Sequence, residues 1–155
     1  MPERDDWDQW DLARPTGWED LGPLTVTEEW HSQILDALEV TEDGRRVLGE
    51  NVHPGGLALE LLPRLSRRFP RGEPRDRTRQ SSVMSMHLKQ TCRLEAPVRV
   101  GESLTLLGRI ADKIMVDGRP RDLISEAWVL GEDGTPRFFY QQTSRLVEIE
   151  RAAQK

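Results

Sequence analysis

Gly49-Glu50-Asn51-Val52-His53-Pro54-Gly55-Gly56-Leu57-Ala58-Leu59-Glu60-Leu61-Leu62 is the stretch whose reading decides the fold. It reads as a loop carrying one histidine into the start of an apolar helix. Pro54 suits a first helical position, where its missing N–H costs nothing. Gly55 and Gly56 leave the N–H groups of the first turn uncovered by side chains. Leu57, Leu61, Leu65 and Phe69 recur every four residues and form a stripe suited to burial. Almost everything after it is strand-like. One buried helix with a polar entrance, followed by strands, predicts an α+β domain in which a sheet wraps a central helix.

Outward from that stretch, composition sets the bounds. The chain has 155 residues, 36% hydrophobic and 32% charged, which suits one polar domain with a core of its own. A net charge of -5 argues against a general nucleic-acid binder, and no apolar run is long enough to span a membrane. The acidic start Met1-Pro2-Glu3-Arg4-Asp5-Asp6 has no signal-peptide core. A lone Cys92 fits a reducing compartment, so the expected location is cytoplasmic.

Upstream, residues 1–20 form an acidic arm with Trp7, Trp10 and Trp18, read as an anchor on its own domain or a neighbour. The domain itself is read as 21–150 and a tail as 151–155. Thr27 before Glu28-Glu29 is an N-cap signal for a helix carrying Trp30, Ile34, Leu35 and Leu38. Residues 39–50 read as a charged loop. Pro63 is expected to kink or end the central helix early.

Downstream, Arg64, Arg67, Arg68, Arg71, Arg75, Arg77 and Arg79 make a basic segment. It is either a solvated helix end or a clamp for phosphates, since guanidinium forks match phosphate oxygens. From Val83 the period becomes two: Met84, Met86, Leu88, Cys92 and Leu94 alternate with polar residues, as in a half-buried strand. Leu104–Val116, Leu123–Leu130 and Phe138–Glu148 read as further strands joined by the turns Asp117-Gly118 and Gly131–Pro136. Together they predict an antiparallel meander.

The phrases Met86-His87-Leu88-Lys89-Gln90, Pro97-Val98-Arg99-Val100-Gly101-Glu102-Ser103-Leu104-Thr105 and Gly108-Arg109-Ile110-Ala111-Asp112-Lys113 resemble the MaoC-like hotdog family. Within it, the FAS1-like dehydratase (MaoC N-terminal) branch is the nearest match, over roughly residues 20–149. The resemblance implies a hotdog fold, pairing as a homodimer or with another hotdog chain. It also implies reversible hydration of 2-enoyl, or dehydration of 3-hydroxyacyl, thioesters on coenzyme A or acyl carrier protein. That chemistry needs acid/base groups and N–H donors for the thioester oxygen. On this reading His53 is the acid/base, Glu50 or Asn51 orients water, and the Gly55 and Gly56 amides hold the oxygen. Arg68 and Arg71 would meet phosphates or an acidic carrier. No cofactor is implied.

The sequence departs from the active members' Gly-Asp-x-Asn-Pro-x-His. Gly49-Glu50-Asn51-Val52-His53 is either a shortened echo of it, or His53-Pro54-Gly55 corresponds to the helix-start motif and the catalytic element is absent; the apolar helix directly after His53 favours the second. The alternative function is therefore a non-catalytic hotdog subunit that shapes the acyl tunnel beside a catalytic chain. A third idea is a tailoring step on polyketide-like substrates. His87 reads as an interface or surface residue and His31 as an exposed one. Three scattered histidines and one cysteine give no metal-ligand spacing, so no metal is expected.

Overall fold

Two threonines set the entry geometry of the first helices. Thr27 is extended and its Oγ1 accepts from Trp30 N at 3.0 Å, opening α1 (Glu28–Ala37). Thr41 does the same for Gly44 N at 3.1 Å, opening α2 (Glu42–Leu48). The segment expected to be a charged loop thus contains a helix. The cap at Thr41, with Glu42 and Asp43 in the first turn, complements the backbone charge there. The central helix α3 (Pro54–Arg68) follows. The computed structural model describes residues 15–69 and 81–150, so Trp7, Trp10, Arg71, Arg75, Arg77, Arg79 and the 151–155 tail lie outside the described residues.

Pro63 neither kinks nor ends α3, which runs on to Arg68. Pro63 is exposed, and the carbonyl it leaves without an N–H belongs to Leu59, itself 48% exposed, where water can serve it. Leu61 and Leu65 on either side are at most 1% exposed and pin the helix down. The period-four stripe is the buried face: Leu57, Leu61, Leu65 and Phe69 all belong to the core.

The sheet is five-stranded and antiparallel, in the order β1-β3-β4-β5-β2. Its strands are β1 (Glu19–Thr25), β2 (Ser81–Leu94), β3 (Ser103–Val116), β4 (Arg119–Leu130) and β5 (Pro136–Glu150). Only β3, β4 and β5 form the expected meander. The two-residue Asp117-Gly118 loop has φ of 51° and 75°, the left-handed pair a tight hairpin requires. β2 lies beyond β5 at the far edge, so residues 95–102 cross from that edge to β3, which lies next to the opposite edge strand β1. Helix α3 packs on β1, β3, β4 and β5, and the sheet wraps it as a hotdog. Gly108 permits this approach, because a Cβ there would lie 2.8 Å from both Leu21 and Leu65 side chains.

From Met86 onward β2 is not half-buried in the single chain. Every residue from Met86 to Glu95 is exposed, and the ladder to β5 shifts at Leu88. An edge strand outside the reach of α3 gains no inner cover. At the opposite edge, Thr16 N donates to Ile110 O at 2.9 Å, and the Arg109 guanidinium lies 4.3 Å over the Trp18 ring. These contacts, like the start of β1 at Glu19, lie ahead of residue 21.

On the outer face Asp122 is 3% exposed and accepts from Arg145 Nε at 2.8 Å and Arg121 Nε at 3.2 Å. The Arg145 hydrogen bond holds its carboxyl below the usual 3.8, and the same bond raises Arg145. A carboxylate depressed in the folded state stabilises fully above its unfolded value, and that contribution is lost as pH falls through the folded value. Asp122→Asn should therefore lower the thermal midpoint near pH 7 and flatten the loss of stability as pH falls through and below the ordinary carboxylate range. Parallel midpoint-against-pH curves for the two proteins, followed by circular dichroism, would remove Asp122 from the acid response.

Candidate functional site at the head of the helices

The loop before α3 is held by the crossover. Val52 N donates to Val98 O at 2.7 Å, Val100 N to Glu50 O at 3.0 Å, and Asn51 bridges Arg99. The crossover is tied in turn to the end of β1, through Gly101 N to Val26 O at 2.7 Å and Val26 N to Glu102 O at 2.9 Å. Val26, Val52 and Val98 are buried and seal this corner. Residues distant in sequence thus fix where Glu50, Asn51 and His53 stand.

His53 is the N-cap of α3. Its Nδ1 accepts from Gly55 N at 3.0 Å, so in the neutral ring the proton sits on Nε2. Gly56 N donates to His53 O at 2.9 Å. Both glycine amides read as oxygen-holding donors are therefore already bonded within the chain. Gly56 is also buried under α1, where an added Cβ would run into Ile34. Trp30 Nε1 donates to Glu60 Oε2 at 3.2 Å across the same helix pair.

Glu50 belongs to a different place. A cleft of about 630 Å³ opens at the head of α1, lined by Thr25, Val26, Thr27, Glu28, His31, Gly49, Glu50, Val100 and Gly101. The structure brings Glu50 together with His31 and Glu28; His53, Asn51, Gly55 and Gly56 are not among the lining residues. His31 is half-buried rather than exposed, and its Nδ1 is buried without a hydrogen-bond partner. No local signal marks it. The cleft walls come from β1, α1, the loop before α3 and the crossover, which only the tertiary fold assembles.

Two arginines of the basic segment, Arg64 and Arg68, are tied down. Arg64 pairs with Glu60 at 2.8 Å and donates to Leu21 O and Pro23 O at 3.1 Å, fastening β1 to α3. Arg68 is exposed and ion-paired with Glu19. His87 sits opposite Ser144 on the exposed edge strand. The sequence reading passed over a line of buried polar groups on the inner face of β5. Tyr140 Oη donates to Gln142 Oε1 at 2.7 Å, and Gln142 Nε2 donates to Ser144 Oγ at 3.0 Å. Period-two spacing from Phe138 would have found them. Among the described residues no group of three His, Cys, Asp or Glu side chains is placed to hold a metal ion, and no helix is long and apolar enough to cross a membrane.

No family model matches the chain, and no curated protein sequence matches it. Solved structures do. An (R)-hydratase from A. caviae involved in PHA biosynthesis aligns with TM-score 0.65 and 12% identity, over 88% of this chain and 98% of that one. The (3R)-hydroxyacyl-ACP dehydratase HadBC of Mycobacterium tuberculosis aligns with TM-score 0.59 and 13% identity, over 84% and 96%. A hypothetical thioesterase from Streptococcus pneumoniae TIGR4, solved with coenzyme A, gives TM-score 0.53 and 11% identity, over 88% and 89%. At such identities the likeness is one of fold.

Proposed function

We propose that this chain serves the hydration and dehydration of 2-enoyl and 3-hydroxyacyl thioesters as the non-catalytic member of a MaoC-like hotdog pair. It binds the acyl chain, while the second chain supplies the acid/base groups. The observation that carries this reading is the closed helix entrance. Both glycine amides are spent on capping α3, Gly55 N on His53 Nδ1 and Gly56 N on His53 O, so neither is left for a thioester oxygen. The MaoC-like phrases between Met86 and Lys113, and the hydratase and dehydratase folds that superimpose, support the thioester class.

Pairing is supported by β2, a sheet edge with Met86, Leu88 and Leu94 between 43% and 47% exposed. Such an edge presents unpaired N–H and C=O groups to another strand. A second hotdog chain, identical or different, is the partner whose own edge matches it. Arg68 and Arg71 remain candidates for the phosphates of coenzyme A or an acidic carrier; Arg68 would have to leave Glu19, an exposed pair of small worth.

A second reading keeps the chain catalytic by itself. It is favoured by the His53 tautomer, which presents a protonated Nε2, with Asn51 upstream to orient water; Glu50 faces the cleft with His31 instead. Absorbance of a 2-enoyl-CoA panel separates the two. The first reading expects thioester binding without turnover by the chain alone. Turnover then appears with a second hotdog chain and survives His53→Ala, which costs about 1 kcal/mol as a lost cap. Turnover by the chain alone, abolished in a folded His53→Ala protein, establishes the second reading. Absence of thioester binding in every combination sinks both.

A further inference from the structure

The acidic arm enters the fold at the outer face of the sheet. Thr16 N donates to Ile110 O at 2.9 Å, and Ile110 N donates to Thr16 Oγ1 at 3.2 Å. Trp18 then covers the Arg109 guanidinium, which is itself paired with Glu126 of β4. One tryptophan of the arm thus engages this face by stacking on an arginine. Away from Trp18 the face continues as a row, with Leu107, Trp128, Phe139 and Arg93 opposite one another on β3, β4, β5 and β2. The Trp128 and Phe139 rings lie 4.8 Å apart, and the Arg93 guanidinium is 4.9 Å from the Phe139 ring. Leu107, Trp128 and Phe139 are only half-buried. Arg93 also pairs with Glu95, whereas Lys89, opposite Thr143 on the same face, has no ion-pair partner among the described residues.

An occupant of this row needs flat apolar groups and negative charge. Residues 1–14 carry both: Trp7 and Trp10 stand among Glu3, Asp5, Asp6, Asp8 and Asp11, against only Arg4 and Arg14. Their reach suffices. With strands about 4.8 Å apart, β5 lies roughly 10 Å and β2 roughly 14 Å across from β3. At about 3.3 Å per extended residue, Trp10 can stand up to roughly 17 Å from Pro15 and Trp7 up to roughly 26 Å. So short a tether also gives the arm an effective concentration that a second copy in dilute solution does not match. We infer that residues 1–14 dock across the outer face of their own sheet. Trp10 and Trp7 lie against Trp128, Phe139 and Arg93, and the arm's carboxylates turn toward Lys89 and Arg93. Docked there, the arm covers the outer face and leaves the β2 edge as the apolar surface open to another chain. This docking is independent of the proposed thioester chemistry.

The test uses the full ¹⁵N-labelled chain with a nitroxide attached at Arg4→Cys, in a Cys92→Ser background. The readout is paramagnetic loss of the Trp128 indole N–H signal, assigned with Trp128→Phe. That signal should lose most of its intensity and regain it when ascorbate reduces the nitroxide. The Trp30 indole on α1, beyond α3, should lose far less. In a mixture of ¹⁵N-labelled chains without nitroxide and unlabelled chains with it, Trp128 should keep its signal. Trp7→Ala with Trp10→Ala changes only the arm and should restore most of the lost Trp128 intensity. A Trp128 signal untouched by the nitroxide in the folded protein would overturn the inference, as would full loss persisting without Trp7 and Trp10. Loss of signal in the mixture would overturn it too, by placing the arm on a second copy.

Discussion

Gly56→Val should destabilise the protein by about 3 kcal/mol, the upper part of the range for forcing extra atoms into a packed interior. In an open helix the replacement of glycine by a side chain is favourable, by up to about 1 kcal/mol for alanine. Here that gain is overridden. Gly56 is buried in the first turn of α3, and the first atom of any side chain would collide with Ile34 of α1. The collision cannot be relieved by a flexible tip, because Ile34 is β-branched and stiff. The cause is testable by pairing. Ile34→Ala alone loses packing, yet combined with Gly56→Val it should recover a substantial part of the loss, a non-additivity expected of touching residues. Urea titrations of the four proteins measure it through the midpoint at constant slope. Additive losses would show that Gly56 matters for the backbone and not for the approach of α1. The distance between these helices also sets the cleft, since His31 and Glu28 ride on α1.

What could be read from the chain divides by range. The stripe Leu57, Leu61, Leu65, Phe69, the cap at Thr27 and the Asp117-Gly118 turn are local devices, and each stands where its spacing or residue type puts it. Pro63 misled because a proline's cost depends on which way its missing bond faces, a property of the tertiary fold. β2 misled for a related reason. Alternation says that a strand has two unlike faces, and not whether anything covers either. The antiparallel class was legible while the order was not, because β2 reaches β5 past two intervening strands.

The candidate site follows the same rule. His53 at the helix start is a local reading, and the structure has it capping α3. Glu50 stands three residues away in sequence, yet it faces the cleft with His31, nineteen residues upstream. The β1–crossover ties at Val26 and Gly101 make that meeting, and no spacing encodes them.

Leu61→Ala should cost about 3–5 kcal/mol, whereas Leu59→Ala in the same helix should change the stability of the isolated chain by less than about 0.5 kcal/mol. Leu61 is fully buried and Leu59 is 48% exposed, so truncation opens a cavity at one and removes already wet surface at the other. The magnitude at Leu61 adds the lost transfer of the side chain to a void that the sheet above cannot close, since Leu106, Leu123 and Phe138 are themselves fully buried. Equal, small losses at both positions would mean that α3 can rotate on the sheet, and the helical stripe would lose its meaning.

The contrast also bears on pairing. Leu59 and Leu62 leave apolar surface on α3, and Met86, Leu88 and Leu94 leave more on β2. If a second hotdog covers this surface, Leu59→Ala and Leu88→Ala will be silent at high dilution and destabilising at concentrations where the pair forms, because stability then includes association. Thermal midpoints across a hundredfold range of protein concentration, alone and with the second chain, read this directly. Midpoints that do not move with concentration in wild type or variants would leave the exposed leucines as ordinary surface and withdraw the support that β2 lends to a hotdog pair.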